Sequence, residues 1–184
     1  MGSEGPSVVT VHVTGFKKFH GVAENPTETI VGNLKDFLEK KGLPKGFILG
    51  SCNILETAGQ GALDFLYQTL ESAVTSTDSD PLSSERVIWK APIVPADGSI
   101  TRTRETTLPV DKITKALEKM GYSVMTSHDA GRFVCNYIYY HSLRFAEQHG
   151  IKSLFVHVPL FSTIDEETQM QFAASLLEVL ASVN

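Results

Sequence analysis

Apolar positions along the chain switch between a period of two and a period near 3.6, and the switches mark alternating strands and helices. Residues 8–13 (VVTVHV) are β-branched and mostly apolar, the composition of a buried strand, and they run into the loop Thr14-Gly15-Phe16. Asn25-Pro26-Thr27 forms a turn that can open a helix, and Ile30, Val31, Leu34, Phe37 and Leu38 recur at helical spacing until Gly42. A second strand is predicted over 47–55. A second helix is predicted over 58–74, with Leu63, Leu66, Leu70, Ala73 and Val74 on one face. The polar stretch 75–84 reads as a linker, and the apolar run Val87-Ile88-Trp89 after it is too short to cross a sheet.

Residues 91–106, with Pro92, Pro95 and the turn Asp97-Gly98, read as a loop or hairpin. Pro109 then opens a helix carrying Val110, Ile113, Leu117 and Met120 on one side. Further strands are predicted over 122–126 and 151–158, with a helix over 133–146 between them. The last helix covers 165–183, its inward face made of Met170, Phe172, Ala173, Leu176, Leu177 and Leu180. Strands and helices alternating at these lengths predict a three-layer α/β/α fold with a mainly parallel central sheet. The 184 residues fit one domain, 1–184, with 1–7 as a flexible N-terminus. There is no internal repeat, no Gly-x-Gly-x-x-Gly and no P-loop pattern.

Composition narrows the function classes. Apolar residues make up 42% and charged residues 20%, enough for a sizeable core and against global disorder. A net charge of −5 argues against nucleic acid and anionic membrane surfaces, which attract basic faces. No apolar run approaches the roughly 20 residues of a membrane-spanning helix, and the opening MGSEGP lacks a secretory pattern, so a cytosolic address is expected. The six His and two Cys lack metal-ligand spacing, and neither a metal nor another cofactor is expected.

Two residues carry candidate chemistry. Cys135 follows a Gly-containing turn and starts a predicted helix, where unpaired amides and the helix dipole favour a thiolate. His157 ends the strand Phe155-Val156-His157-Val158-Pro159, and strand ends are where catalytic groups gather in parallel sheets. Taken alone, each also fits an ordinary core residue. Cys52 has neither a nearby His nor a helix start and reads as structural. His12, His20, His128, His141 and His149 give no clear signal.

Three blocks change this balance: Val13-Thr14-Gly15-Phe16-Lys17-Lys18-Phe19-His20-Gly21 with Asn25-Pro26, then Ser127-His128-Asp129-Ala130-Gly131-Arg132-Phe133-Val134-Cys135-Asn136 continuing to Tyr140, then Phe155 to Pro159. In order and spacing they resemble the pyroglutamyl peptidase I family of cysteine peptidases, with Lys18 where the family has Pro. The resemblance implies removal of N-terminal pyroglutamate from peptides, so pyroglutamylated peptides are the expected partners, with room for a homo-oligomer. It implies Cys135 as nucleophile, His157 as base and then acid, and amides near Cys135 as part of an oxyanion hole. Phe16 and Phe19 would flank the lactam ring, and Asn25 is a further substrate-binding candidate.

One departure from the family is abrupt. Near 89–91 this chain lacks several dozen residues that the family carries, including a core strand and the glutamate that orients the histidine. No Glu of this chain falls in a matching motif, and Glu85 is merely nearby. A misdirected imidazole can cost orders of magnitude in rate. The alternative to a working exopeptidase is therefore a catalytically inactive truncated variant, either a binding or regulatory form or an unproductive isoform.

Overall fold

β1 (Val9–Phe16) and β2 (Phe47–Leu55) form because alternate apolar side chains on both can face helices on either side. They pair in parallel, from Val9 opposite Phe47 to Phe16 opposite Leu55, with a register shift at Val11/His12. Gly50 sits at that irregularity: a Cβ there would lie 2.5 Å from the His12 ring. The structure is a computed structural model and describes residues 8–19, 23–57, 59–74, 92–131 and 133–183. The expected N-terminal tail, the linker, the run at 87–89, Glu85 and the 89–91 junction all lie outside the described residues.

Asn25 caps α1 (Pro26–Lys41), its side chain accepting from the Thr27 amide, and Gly42 at φ 91° ends it. α2 (Gly59–Ala73), a short 3-10 turn at Pro95–Asp97, α3 (Val110–Lys119), α4 (Val134–His149) and α5 (Glu166–Val183) follow. On one face of the sheet, Ile30, Leu34 and Leu38 of α1 pack with Phe47 and with Met170, Ala174 and Leu177 of α5. On the other, Leu55 packs with Ala62, Leu63 and Leu66 of α2 and Ile138 of α4. Helices thus cover both sides of a parallel sheet, the three-layer α/β/α arrangement. α5 also turns a second apolar face to α3, where Val179 meets Ile113 and Leu117.

The order of the helices agrees with the pattern of apolar positions, but the sheet is smaller than that pattern predicts. Residues 122–126 and 151–158, expected as strands, form no ladder among the described residues; β1 and β2 pair only with each other. A ladder requires a neighbouring backbone about 4.8 Å away, and side-chain patterning alone does not supply one. Residues 91–106 hold the 3-10 turn, and no hairpin is seen among their described positions.

Two positions dominate the packing energetics. Gly15 is buried where β1 meets the start of α1, and a Cβ there would lie 2.4 Å from the Thr27 carbonyl oxygen. His141 of α4 is 2% exposed, 3.1 Å from the Tyr67 hydroxyl, between the rings of Tyr67 and Tyr137, and its Nε2 has no hydrogen-bond partner. Burial, with Arg144 nearby, lowers its pKa from 6.5 to about 4.

Gly15→Ala is expected to destabilise the chain by about 2–3 kcal/mol, because backbone cannot retreat as a flexible side chain can, and a lowered urea midpoint checks it. For His141, the native ring stays neutral where the unfolded ring takes up a proton. Its contribution is therefore full above pH 6.5 and is lost as pH falls toward about 4. The loss is on the order of 3 kcal/mol. Urea melts should show stability declining between pH 6.5 and 5, and His141→Phe should flatten that decline.

Candidate active site

The loop after β1 is strapped to the start of α1 by side chains that the turn sequence supplies. Thr27 Oγ1 accepts from the Phe16 amide at 2.9 Å and donates to the Phe16 carbonyl at 3.3 Å. Glu28 accepts from the Lys18 amide at 2.9 Å, and Asn25 Nδ2 donates to the Lys17 carbonyl at 3.1 Å. From the other side the Lys17 amide bonds the Leu55 carbonyl, and the Lys17 ammonium pairs with Glu56. The close approach at Gly15 permits this strapping. Both polar atoms of the Asn25 side chain are engaged within the loop and cap, so this structure uses Asn25 as a positioning group.

Phe16 is half-buried with its ring 6.4 Å from Phe155, whereas Phe19 is 51% exposed. Phe155 in turn lies 4.8 Å from the His157 ring and 5.5 Å from Tyr139 of α4. Rings at i and i+2 this close indicate side chains on one side of the chain. Phe155 and Tyr139 are the residues that the sequence reading missed. Their signal was present, since Tyr139 is four residues, one helical turn, beyond Cys135 and Phe155 is two before His157.

Cys135 occupies the first turn of α4, after a loop wound on itself by Asp129, whose carboxylate accepts from the Gly131 amide at 2.7 Å. Phe133, at the N-cap, makes no side-chain cap bond, and the amides of the first turn of α4 lie where an anion is favoured. Yet the half-buried thiol is not a stabilised thiolate here. Burial pushes its pKa above the ordinary 9.0, and its own backbone amide only partly opposes this. The expected stabilised thiolate is corrected: loss of hydration outweighs the one backbone hydrogen bond that favours it.

His157 is exposed rather than buried. Among the described residues, no hydrogen bond joins its ring to the Cys135 thiol or to any carboxylate. Two further contacts fix how α4 lies on the segment that carries it: Ser142 Oγ is 2.7 Å from Ser153 Oγ, and the Tyr139 ring lies tilted against Phe155 at 5.5 Å. The helix and the segment therefore run antiparallel. The start of α4 and the end of 151–158 lie at the same end of the sheet as the Phe16 loop.

On its outer stripe α4 is tied down by charge. Asp97 accepts from the Tyr140 hydroxyl at 2.7 Å and from Arg104 at 2.8 Å, with Arg144 at 3.4 Å. Two cavities, about 240 Å³ beside Arg104 and Ser153 and about 350 Å³ between α1 and β2, are lined by none of the five candidate residues. Among the described residues there is no cluster of metal-binding side chains, and no helix is long and apolar enough to cross a membrane.

Comparison with known proteins agrees with this arrangement. A family model described as pyroglutamyl peptidase matches residues 79–183. The chain is 30% identical over 171 residues to a pyrrolidone-carboxylate peptidase of Vibrio vulnificus, covering 82% of this chain and 78% of that protein. It is 31% identical over 175 residues to one of Pyrococcus furiosus, covering 81% and 80%. Among solved structures, the pyrrolidone carboxyl peptidase of Fervidobacterium islandicum superposes with a TM-score of 0.73 at 21% identity, over 96% of this chain and all of that one, a likeness of fold. A mutant pyrrolidone carboxyl peptidase from Pyrococcus furiosus gives 0.69 at 27% identity, over 95% and 97%. With a family match over more than half its length and these relatives behind it, the chain belongs to the pyroglutamyl peptidase family, which makes it by family a hydrolase of the cysteine peptidase type.

Proposed function

We propose that this chain removes pyroglutamate from the N-terminus of peptides, with Cys135 as nucleophile and His157 as the group that takes the thiol proton and returns it to the leaving amine. The observation that carries this reading is the antiparallel run of α4 along 151–158. From the Tyr139 and Phe155 contact, four residues back along the helix cover ~6 Å and two residues onward along an extended chain cover ~6.6 Å. His157 thereby comes level with Cys135. The uncapped first turn of α4 supplies amides for the oxyanion that forms as sulfur attacks the carbonyl after the lactam ring. Phe16, and Phe19 across the loop, offer apolar walls suited to an uncharged ring.

A second reading has its own support. A His157 ring that packs on Phe155 without a hydrogen-bonded carboxylate among the described residues, together with the raised thiol, supports a form that binds a pyroglutamyl peptide without cleaving it. The unpaired segments 122–126 and 151–158 fit the loss of a central strand near 89–91, and with it of the orienting glutamate.

Hydrolysis of a fluorogenic pyroglutamyl amide separates the two. Turnover that falls at least roughly 1,000-fold in both Cys135→Ser and His157→Ala supports the peptidase; no turnover above the Cys135→Ser background leaves the silent form. Alkylation of Cys135 by iodoacetamide should still be rising at pH 9, because burial holds the thiol protonated past its ordinary range. A plateau reached below pH 7 would instead mean that an imidazolium partner ionises the thiol.

A further inference from the structure

Asp97 lies in the 3-10 turn Pro95–Asp97, its side chain 8% exposed, at the centre of a charge cluster on the flank of α4. One oxygen of its carboxylate accepts from Tyr140 at 2.7 Å and Arg104 at 2.8 Å, and the other faces Arg144 Nε at 3.4 Å. The Arg104 guanidinium, 7% exposed, lies 5.2 Å over the Tyr140 ring and pairs outward with Glu147. Tyr140, Arg144 and Glu147 are spaced i, i+4, i+7 and form one stripe of α4. At about 100° per residue, that stripe is turned about 140° from Cys135. The cluster thus grips α4 from the side opposite the one that meets 151–158.

Such a grip controls rotation and height together. The Tyr140 hydroxyl fixes the helix at one level, Arg144 fixes it one turn further on, and the rigid fork of Arg104 joins both to the 101–107 segment. That segment is itself bonded to the chain carrying His157, since Thr106 Oγ1 donates to the Ser153 carbonyl at 2.5 Å. Burial alone would push the Asp97 carboxyl up, but hydrogen bonds from Arg104 and Tyr140 and the two guanidinium charges outweigh it and hold the pKa at about 2. The anion is therefore present throughout the working pH range. Neutralising it would take from Arg104 and Arg144 the counter-charge they share, leaving Glu147 as the remaining partner of Arg104.

We propose that Asp97 is a positioning residue for the nucleophile, setting the rotation of α4 and hence the register of Cys135 against the His157 segment through Tyr140, Arg104 and Arg144. The proposal rests on the assignment of Cys135 under the proposed function and adds the device that aims it.

Iodoacetamide alkylation, read separately at Cys135 and Cys52 by peptide mass spectrometry, tests this in the purified chain and in Asp97→Asn, Asp97→Glu and Tyr140→Phe. Cys52 on β2 serves as the internal reference. Asp97→Asn should raise the Cys135 rate at least 3-fold relative to Cys52. Tyr140→Phe, which removes one hydroxyl and keeps the ring, should move it the same way by less, and Asp97→Glu should recover part of the native ratio. Where the chain turns over a pyroglutamyl amide, kcat should fall about 10-fold or more in Asp97→Asn with KM little changed. An unchanged ratio, or both cysteines accelerating in parallel as in general loosening, overturns the proposal. If Asp97→Asn fails to fold, Tyr140→Phe decides by the same ratio. The ratio needs no turnover, so a chain without hydrolysis refutes the peptidase reading while the positioning role is still measured.

Discussion

The packing of α4 against residues 151–158 sets everything at the site, because a thiol on a helix and an imidazole on a separate segment meet only if the two backbones keep a fixed register. Two contacts hold that register, Ser142 to Ser153 and Tyr139 to Phe155. Neither is strong by itself, since a hydroxyl pair and a tilted ring pair contribute about 1 kcal/mol each. The Asp97 cluster on the far side of the helix and the apolar contact of Ile138 with α2 supply the remaining constraint. Among the described residues the segment has no ladder hydrogen bonds to hold it from its own side.

The Phe16 loop is more firmly held. The Phe16 loop is bonded to α1 through Thr27, Asn25 and Glu28 and to β2 through Leu55 and Glu56, and Gly15 lets strand and helix approach closely. The Phe16 loop is thus held from two sides, whereas the His157 ring is exposed and has no hydrogen-bonded carboxylate among the described residues. Under the proposed assignment, a firmly held loop beside a loosely held imidazole makes affinity and rate separate quantities, each measured by itself.

The helices were legible in the sequence because each carries an apolar stripe and most carry a stop signal, such as Gly42 after α1 and Gly150 after α4. The parallel pairing of β1 with β2 also follows from the helix between them. Sheet size was not legible, since 122–126 and 151–158 have strand composition whether or not a partner strand lies beside them. At the proposed site, Cys135, His157 and Phe16 were singled out by the motif blocks. The sequence showed Asn25 as a turn residue but not its bonds to Lys17 and Thr27, and the thiol shift was misjudged because burial of Cys135 depends on how α4 packs. Asp97 was read only as a turn residue; its three donors come from 104, 140 and 144, and no local pattern links them.

Bifunctional alkylation measures the central juxtaposition directly. Treatment with 1,3-dibromoacetone, followed by digestion and mass spectrometry, should yield the peptide containing Cys135 joined covalently to the peptide containing His157. Adducts confined to Cys135, or bridges from it to residues other than His157, would contradict a shared thiol and imidazole site.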